Sequence, residues 1–469
     1  MFHCPTVSVR LPFEAVRSLL KSYPRFFVLL TLAAVALRLV FVLRWPVIQG
    51  DALIYSELAR NLLHEHIYGL TRAHGVMPTL IRLPGYPWFL AACFRIFGDD
   101  NFKAVMLVQV VFDLGTCFLV AETARRMISE RAARMAFAVA CLCPFTANYT
   151  GVALTETTEI FFTALAVLAA TVALERRSLA AWAGCGAATA MCILLRPDGG
   201  LVLIAIGLFL LWKLWQVRTE LAARRHFVAA GVVLMAVALA PLVPWTIRNW
   251  RTLHVFQPLV TMTASDPDEF VPLGWNRWVN TWAVDYSSTE DLTFNVSGTA
   301  IDVYALPTRA FDNQQEFLRL AQLFATYNRT LTMTPELDRQ FAEIAAERIH
   351  THRLRYYVGL PLGRVAGLWL RPRTEMLPLD QHWWRFDDDP HDATIGSLLG
   401  ALNLVLVLAA LGGAARGQSR YLGLLLLYPI LRTLLLMKMA AIEDRYTLEC
   451  FPMLLVLAAA WWERDRPTS

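Results

Sequence analysis

Ten apolar runs constrain this chain more than anything else in it. They lie near 26–44, 103–124, 132–150, 157–174, 179–195, 199–215, 227–246, 396–415, 421–437 and 447–462. About 20 apolar helical residues cross the hydrocarbon of a bilayer, and in lipid only helices and closed barrels satisfy every backbone group. The expected fold class is therefore an all-α polytopic membrane protein with about ten transmembrane helices. Composition agrees: 17% of the 469 residues are charged, against about 25% in soluble domains. The segment "PGYPWFLAACFRIFG", 84–98, is too short to cross and opens with two prolines. It is expected as a half-buried helix lying against the first loop.

Lys and Arg set the orientation. With a cytoplasmic N-terminus, the inside segments carry Arg10, Arg17, Lys21 and Arg25, then Arg125, Arg126, Arg131 and Arg134. Arg176 and Arg177, then Lys213, Arg218, Arg224 and Arg225, then Arg416 and Arg420, and last Arg464 and Arg466 follow. Every short inside segment is basic, as the positive-inside rule requires, and an even span count puts both termini inside. The first run has no small-residue cleavage site and reads as a retained span. The net charge of +5 comes without a dense basic tract, so nucleic acid is not an expected partner. The eight cysteines lie mostly in apolar runs with no CxxC spacing, and read as small apolar packers. Arg38 and Asp113, both inside spans, are expected to pair.

Three segments then face outward: loop 1 at 45–102, a short loop at 148–157, and a large loop at 248–395. In "WPVIQGDALIYSELARNLL", Gly50 permits a sharp bend at the membrane surface, and Asp51 opens an amphipathic helix where the dipole favours its charge. In "TGVALTETTEIFF", Glu156 opens a span, with Glu159 one turn deeper on the same face. Of these two acids, Glu156 is nearer water and is the preferred site residue. Cations gather on the same side: Arg82 in "LIRLPGYPWF", Arg196 in "ILLRPDGG", Arg248 in "VPWTIRNW", and Lys438, Arg445 and Tyr446 in "MKMAAIEDRYTLECFP". Short outer loops normally avoid cations, whereas a bound phosphate wants guanidinium groups. A phosphate-bearing lipid explains the arginines, and a hydroxyl that must lose a proton explains the acid. Together they describe sugar transfer from a lipid phosphate. The large loop shows no Rossmann or P-loop glycine pattern. It ends in an amphipathic helix, "TPELDRQFAEIAAERIHTHRLRYYVGLPL", suited to the bilayer surface. His382, Trp383, Trp384 and Asp387–Asp389 are its exposed candidates.

The run "GDALIYSELARNLL…RLPGYPWFLAACFRIFG" resembles the first-loop signature of membrane-embedded C-type glycosyltransferases (GT-C), the group related to protein O-mannosyltransferases and the lipid A aminoarabinose transferase. "LTETTEIFFTALAVL", "LLRPDGG", "PWTIRN" and "EDRYTLECFPMLLVLAA" follow in the family order, over residues 26–250 and 430–462. The resemblance implies transfer of a sugar from a polyprenyl-phosphate donor to an acceptor hydroxyl, on the outer or lumenal face, with inversion at the anomeric carbon. It implies that Asp51 is the general base and that Glu156 is the second-loop acid. Arg82, Arg445 and Tyr446 fall at donor-phosphate positions, with Arg196, Arg248 and Lys438 as further phosphate-binding candidates. Asp51 is followed by Ala52 where the mannosyltransferases carry a second acid, which counts against mannose; the aminoarabinose branch's KPP form is also missing. Asp51 and Glu156 form a candidate ligand pair for Mg or Mn.

The expected organisation is an N-terminal transmembrane module at 1–250, an extracytoplasmic loop region at 251–395 and C-terminal transmembrane helices at 396–469. The expected partners are the lipid donor, membrane lipid, and a glycan, lipid or protein acceptor, in a bacterial inner membrane. The rival reading is a secondary transporter of an anionic or lipid-linked substrate, which would place polar groups or broken helices near the bilayer midplane.

Overall fold

The computed structural model describes residues 22–463 except 262, 264, 267–268, 290–291, 293–295, 380–381, 385–388 and 440–442. Arg10, Arg17, Lys21, Asp387, Asp388, Arg464 and Arg466 therefore lie outside the described residues. The protein is a multi-pass helical membrane protein. Among the described residues, six helical segments are long and apolar enough to cross a bilayer: Pro24–Arg44, Phe102–Met127, Glu156–Arg176, Pro197–Gln216, Leu221–Leu253 and Pro390–Ala415. Leu179–Leu195 and Leu422–Leu436 are shorter apolar helices. The segment at 221–253 is broken at Pro241, which caps the helix Leu242–Leu253.

Two further expected runs are interrupted as well. The run at 132–150 is a helix over Glu130–Leu142 that stops at an extended Cys143 before Pro144, then resumes as short turns. The prolyl nitrogen has no hydrogen to donate, and Pro disfavours helical geometry in the residue before it. The run at 447–462 begins as a tight 3-10 turn, Asp444–Cys450, and becomes an α-helix only over Phe451–Trp461. That turn carries Asp444, Arg445 and Glu449, and Arg445 and Glu449 form ion pairs with other segments.

The spans share one extended apolar core, into which Phe137, Trp182, Phe209 and Phe451 are buried. The first span is fixed by the expected intramembrane pair. Arg38 Nη2 lies 2.6 Å from Asp113 Oδ2, with both side chains buried. The rest of the guanidinium donates to the carbonyls of Ala34, Ala140 and Cys141, so one residue clamps three helices. The seven described cysteines are buried and free.

The large loop has its own core. Helix Leu273–Asn280 packs Trp275 and Trp278 on Phe324 and Phe341 of helices Gln314–Thr330 and Pro335–Thr351. The Asp338 carboxylate accepts from the Gly274 and Trp275 amides, 3.0 and 2.8 Å. It thereby satisfies donors that a helix start leaves open. The amphipathic segment is helical over Pro335–Thr351, then over Leu360–Leu370 after a π-turn at Arg355–Gly359. Leu354, Tyr357 and Leu362 stand exposed there. Loop 1 holds the half-buried helix, Gly85–Phe97, and also an unanticipated hairpin, Gly69–Arg72 with Gly75–Pro78.

Candidate functional site

Asp51 owes its place to backbone geometry. Gly50 has φ +56, a left-handed conformation that glycine adopts without a side-chain penalty, and helix Asp51–His64 starts immediately after it. Just before the bend, Val47 is stitched to the short loop: its N–H donates to Gly151 O at 2.9 Å, and its carbonyl accepts from Ala153 N at 3.2 Å. That loop is held from inside by Gln109, whose amide donates to Tyr149 O, Thr150 O and Val152 O. The loops carrying Asp51 and Glu156 are thus tied together.

The Asp51 carboxylate does not cap its own helix. Its Oδ1 accepts from Arg82 Nη2 at 2.7 Å, and the Asp51 side chain keeps 40% of its surface exposed, so an incoming group can reach it. Tyr55 sits behind the pair, with Arg82 6.0 Å over its ring. Burial, then the charge of Asp51, pushes the Tyr55 hydroxyl up, and Arg196 and Glu156 also act on it. Tyr55 therefore stands between the Asp51–Arg82 pair and a second, larger cluster.

That cluster surrounds Glu156. Its Oε1 lies 3.3 Å from Arg445 Nη1 and 3.6 Å from Arg196 Nη1. Arg445 Nε is 2.6 Å from Glu443 Oε2, while Tyr446 donates to Glu443 Oε1 at 2.6 Å. Arg196 lies over the Tyr446 ring at 4.8 Å and reaches Asp198, Glu159 and Glu449 at 3.2, 3.5 and 3.9 Å. Arg432 completes the set, 3.0 Å from Glu449, 3.1 Å from Asp198 and 3.7 Å from Glu159. Glu156 and Glu159 are both buried, so the sequence distinction between them disappears. Five carboxylates thus face three guanidinium groups. Glu156 Oε2 and both oxygens of Glu159 and Glu449 have no hydrogen-bond partner among the described residues. Buried acceptors in that state are costly.

The structure brings Asp51, Arg82, Glu156, Arg196, Arg445 and Tyr446 into this contiguous region, and leaves two candidates out. Arg248 donates to Thr79 O at 2.8 Å and Tyr68 O at 2.5 Å. It braces the stretch leading to Arg82, because backbone carbonyls satisfy it. Asp266 supports the same stretch, accepting from Thr79 Oγ1 at 2.8 Å and Leu80 N at 3.1 Å. Lys438 is exposed and makes no ion pair among the described residues. Sequence reasoning missed Arg432, Asp198, Glu443 and Glu449. Arg432 carried the plainest signal, a charge inside the apolar run "YPILRTLLL".

Asp51 and Glu156, the candidate ligand pair for a divalent ion, each face a guanidinium group through one oxygen, Oδ1 and Oε1, with which such an ion would compete. Among the described residues, the only three acid or imidazole ligands in mutual reach are Asp389, His391 and Asp392. Asp389 there caps helix Pro390–Ala415 by accepting from the His391 and Asp392 amides.

Residues 78–245, less than half of the chain, match the family model of dolichyl-phosphate-mannose-protein mannosyltransferase. No curated protein matches the sequence. Among solved structures, the archaeal oligosaccharyltransferase AglB from Archaeoglobus fulgidus, in complex with an inhibitory peptide and a dolichol-phosphate, is similar at TM-score 0.50 and 15% identity, covering 94% of this chain and 50% of that one. The Archaeoglobus fulgidus oligosaccharyltransferase in the apo form gives TM-score 0.50 and 15% identity, covering 93% of this chain and 50% of that one. ArnT from Cupriavidus metallidurans, bound to undecaprenyl phosphate, gives TM-score 0.40 and 15% identity, covering 92% of this chain and 76% of that one. This chain spans about half the length of the archaeal enzyme it matches. The likeness to AglB, at this identity, is one of fold. The resemblance to membrane-embedded C-type glycosyltransferases thus stands on the family model over part of the chain and on the fold over nearly all of it.

Proposed function

We propose that this polytopic chain transfers a sugar from a polyprenyl-phosphate donor to an acceptor hydroxyl at the outer face of a bacterial inner membrane, inverting the anomeric carbon. One observation carries the reading. An accessible carboxylate, Asp51, pairs with Arg82, and through Tyr55 this pair adjoins Glu156, where Arg196 and Arg445 converge. The matched family model, a transferase of dolichyl-phosphate-linked mannose, supports a lipid-phosphate donor. The basic short loops at the other end of the spans support an outward site.

In the proposed step the acceptor O–H gives its proton to Asp51 as the oxygen attacks C1 of the sugar. The C1–O bond to phosphate breaks, and its electron pair leaves on the phosphate oxygen. Arg445 and Arg196 stabilise that developing charge. Arg82 orients Asp51, while Glu156 and Glu443 hold the guanidinium groups in place. No step is routed through a divalent ion. Hexose or pentose, and protein, glycan or lipid acceptor, follow from the donor and product once identified.

The polar groups crowd one end of the spans, which gives the transporter reading no support. The experiment that tests the proposal is consumption of radiolabelled polyprenyl-phosphate sugar by membranes containing the protein. Wild type should turn it over and Asp51→Asn should not. Unchanged turnover in that variant would remove Asp51 from the mechanism.

A further inference from the structure

The large loop carries an apolar stripe that no described residue covers. Leu354 is 81% exposed, Tyr357 64% and Leu362 62%, and Val358 and Leu370 stand exposed with them. Leu354, Val358, Leu362 and Leu370 follow one another at steps of four or eight residues, through the π-turn at Arg355–Gly359, so they line one side of the segment. Leu360, Pro361, Arg364 and Leu368 are buried on its other side. A continuous apolar face of this kind marks a docking surface.

The packing of the buried side says what covers the exposed one. Leu368 packs on Leu436, and the Trp369 indole N–H donates to Thr433 Oγ1 at 3.0 Å. The Asn403 amide donates to the carbonyls of Trp369 and Arg371 at 2.8 and 3.2 Å. Thr433 belongs to the apolar helix Leu422–Leu436, and Asn403 to the spanning helix Pro390–Ala415. The segment is thus pinned along the flanks of two membrane helices, which expose Leu434 and Leu402 one residue from these contacts. Its stripe continues an apolar surface that lipid already covers.

Charge points the same way. From Arg348 to Thr374 the chain has six arginines, two histidines and no acid. Arg348 and Arg355 are held by Asp312, Arg364 by the carbonyls of Asn280 and Ala283, and Arg373 by Asn403 and Thr447. Arg371 lies 3.7 Å from Asp285. Arg353, immediately before the stripe, is exposed, and its side chain has no hydrogen bond or ion pair among the described residues. Lys438 is in the same state, beside Met437, whose carbonyl accepts from Arg364 at 3.4 Å. Amphipathic segments that pair an apolar face with cations bind anionic lipid surfaces.

We propose that residues 354–370, with Arg353 and Lys438, form a lipid-docking surface that seats the large loop on the leaflet at its side of the membrane and takes the phosphate of an anionic phospholipid there. This holds whatever group the chain transfers.

The test uses the full chain in phosphatidylcholine nanodiscs with and without phosphatidylglycerol. A nitroxide is placed at Leu362→Cys, with Val232→Cys on an exposed span position as the lipid reference and Glu336→Cys in the large loop as the water reference. The described native cysteines are buried. Dissolved oxygen should relax the Leu362 label more than a water-soluble nickel chelate does, as at Val232 and opposite to Glu336. A Leu362 label that reads like Glu336 overturns the proposal. In native mass spectra, wild type should retain phosphatidylglycerol over phosphatidylcholine. Arg353→Gln and Lys438→Gln should each lower that preference about fivefold, equivalent to ~1 kcal/mol per cation near a charged surface. Wild type without a preference, or variants that keep it in full, overturns the phosphate assignment. So does undecaprenyl phosphate displacing phosphatidylglycerol from wild type while the variants lose both, because the cations would then serve the proposed donor. Spin–spin broadening at Leu362 in discs holding two chains would mean that a second copy covers the stripe, and also overturns the proposal.

Discussion

The helix Glu156–Arg176 carries buried or half-buried acids at both ends, and the ends are built differently. At its far end, Glu175 is 2.5 Å from Arg126, and Arg126 and Arg125 both grip Glu122 at 2.6–2.8 Å. Both oxygens of Glu122 and Oε2 of Glu175 thus have hydrogen-bond geometry, while Glu175 Oε1 lies 3.8 Å from Arg420. At the near end, roughly 24 Å away at 1.5 Å per residue, Glu156 and Glu159 face Arg196 and their other guanidinium partners at 3.3–3.7 Å with oxygens unsatisfied. The same residue types make a finished joint at one end and an open one at the other. An open joint can re-pair: a phosphate entering the near end takes guanidinium donors that the acids hold only loosely. At the far end it would have to break short charge-assisted bonds.

The sharpest way to break this contrast is to remove one group from each end. Asp51→Asn keeps size and loses basicity, so transfer of labelled sugar should fall by about a thousandfold, within the ~10²–10⁴ range of general-base catalysis. Folding and binding of bare lipid phosphate should persist. Glu175→Gln, at the finished end, should leave transfer within about twofold. Comparable losses from the two would show that the ends do not differ in role.

Between the ends lies a joint that is both finished and fully buried, Arg38 with Asp113. Removing one partner of such a pair costs about 3–5 kcal/mol. Arg38→Met should therefore lower thermal stability steeply without altering the acceptor. Arg38→Met combined with Asp113→Leu should recover most of the loss, since no lone charge stays buried. A double variant no more stable than Arg38→Met would mean that the carbonyls of Ala140 and Cys141, and not Asp113, are what the guanidinium serves.

A smaller effect separates the two ends by geometry alone. Arg196 is near four carboxylates and a tyrosine ring, which a point-charge ammonium cannot match. Arg196→Lys should reduce kcat/KM by about tenfold, through ~1.4 kcal/mol of transition-state stabilisation. Arg125→Lys should leave kcat/KM unchanged, because Glu122, which Arg125 pairs with, is also gripped by Arg126. Equal kinetics for both variants would refute the distinction.

The sequence made the spans and the Arg38–Asp113 pair legible, because apolar length and intramembrane charge are local signals. It also brought Asp51, Glu156, Arg82, Arg196 and Arg445 forward, through their placement at span ends. What stayed hidden depends on long-range geometry. The breaks at Cys143 and at the Asp444–Cys450 turn shorten two runs that look continuous by composition. Glu443, Asp444 and Glu449 read as ordinary interfacial acids until the turn buries them. Arg248 and Lys438 fit the sequence criterion as well as Arg445 does. Nothing local distinguishes a guanidinium committed to Tyr68 O and Thr79 O from one facing Glu156.

The mildest test compares acids in two regions outside the spans. In the large loop, burial acts against the charge of Asp312, but the Arg355 hydrogen bond and the charges of Arg348 and Arg355 outweigh it and hold the carboxyl below its usual range. A lowered acid adds stability above its unfolded pKa of about 4, and that stability is lost as pH falls through the folded value. Asp444 is the reverse: burial, then Glu375, pushes it up. Its contribution is complete below about pH 4 and declines as pH rises toward the raised value. Asp312→Asn should therefore flatten the acid limb of a melting-temperature profile. Asp444→Asn should flatten the neutral limb and stabilise the protein at neutral pH, by less than Arg38→Met destabilises it. An Asp444→Asn protein that melts lower than wild type at neutral pH would mean that the carboxylate already has a favourable partner there. Asp444 would then belong to a joint of the finished kind.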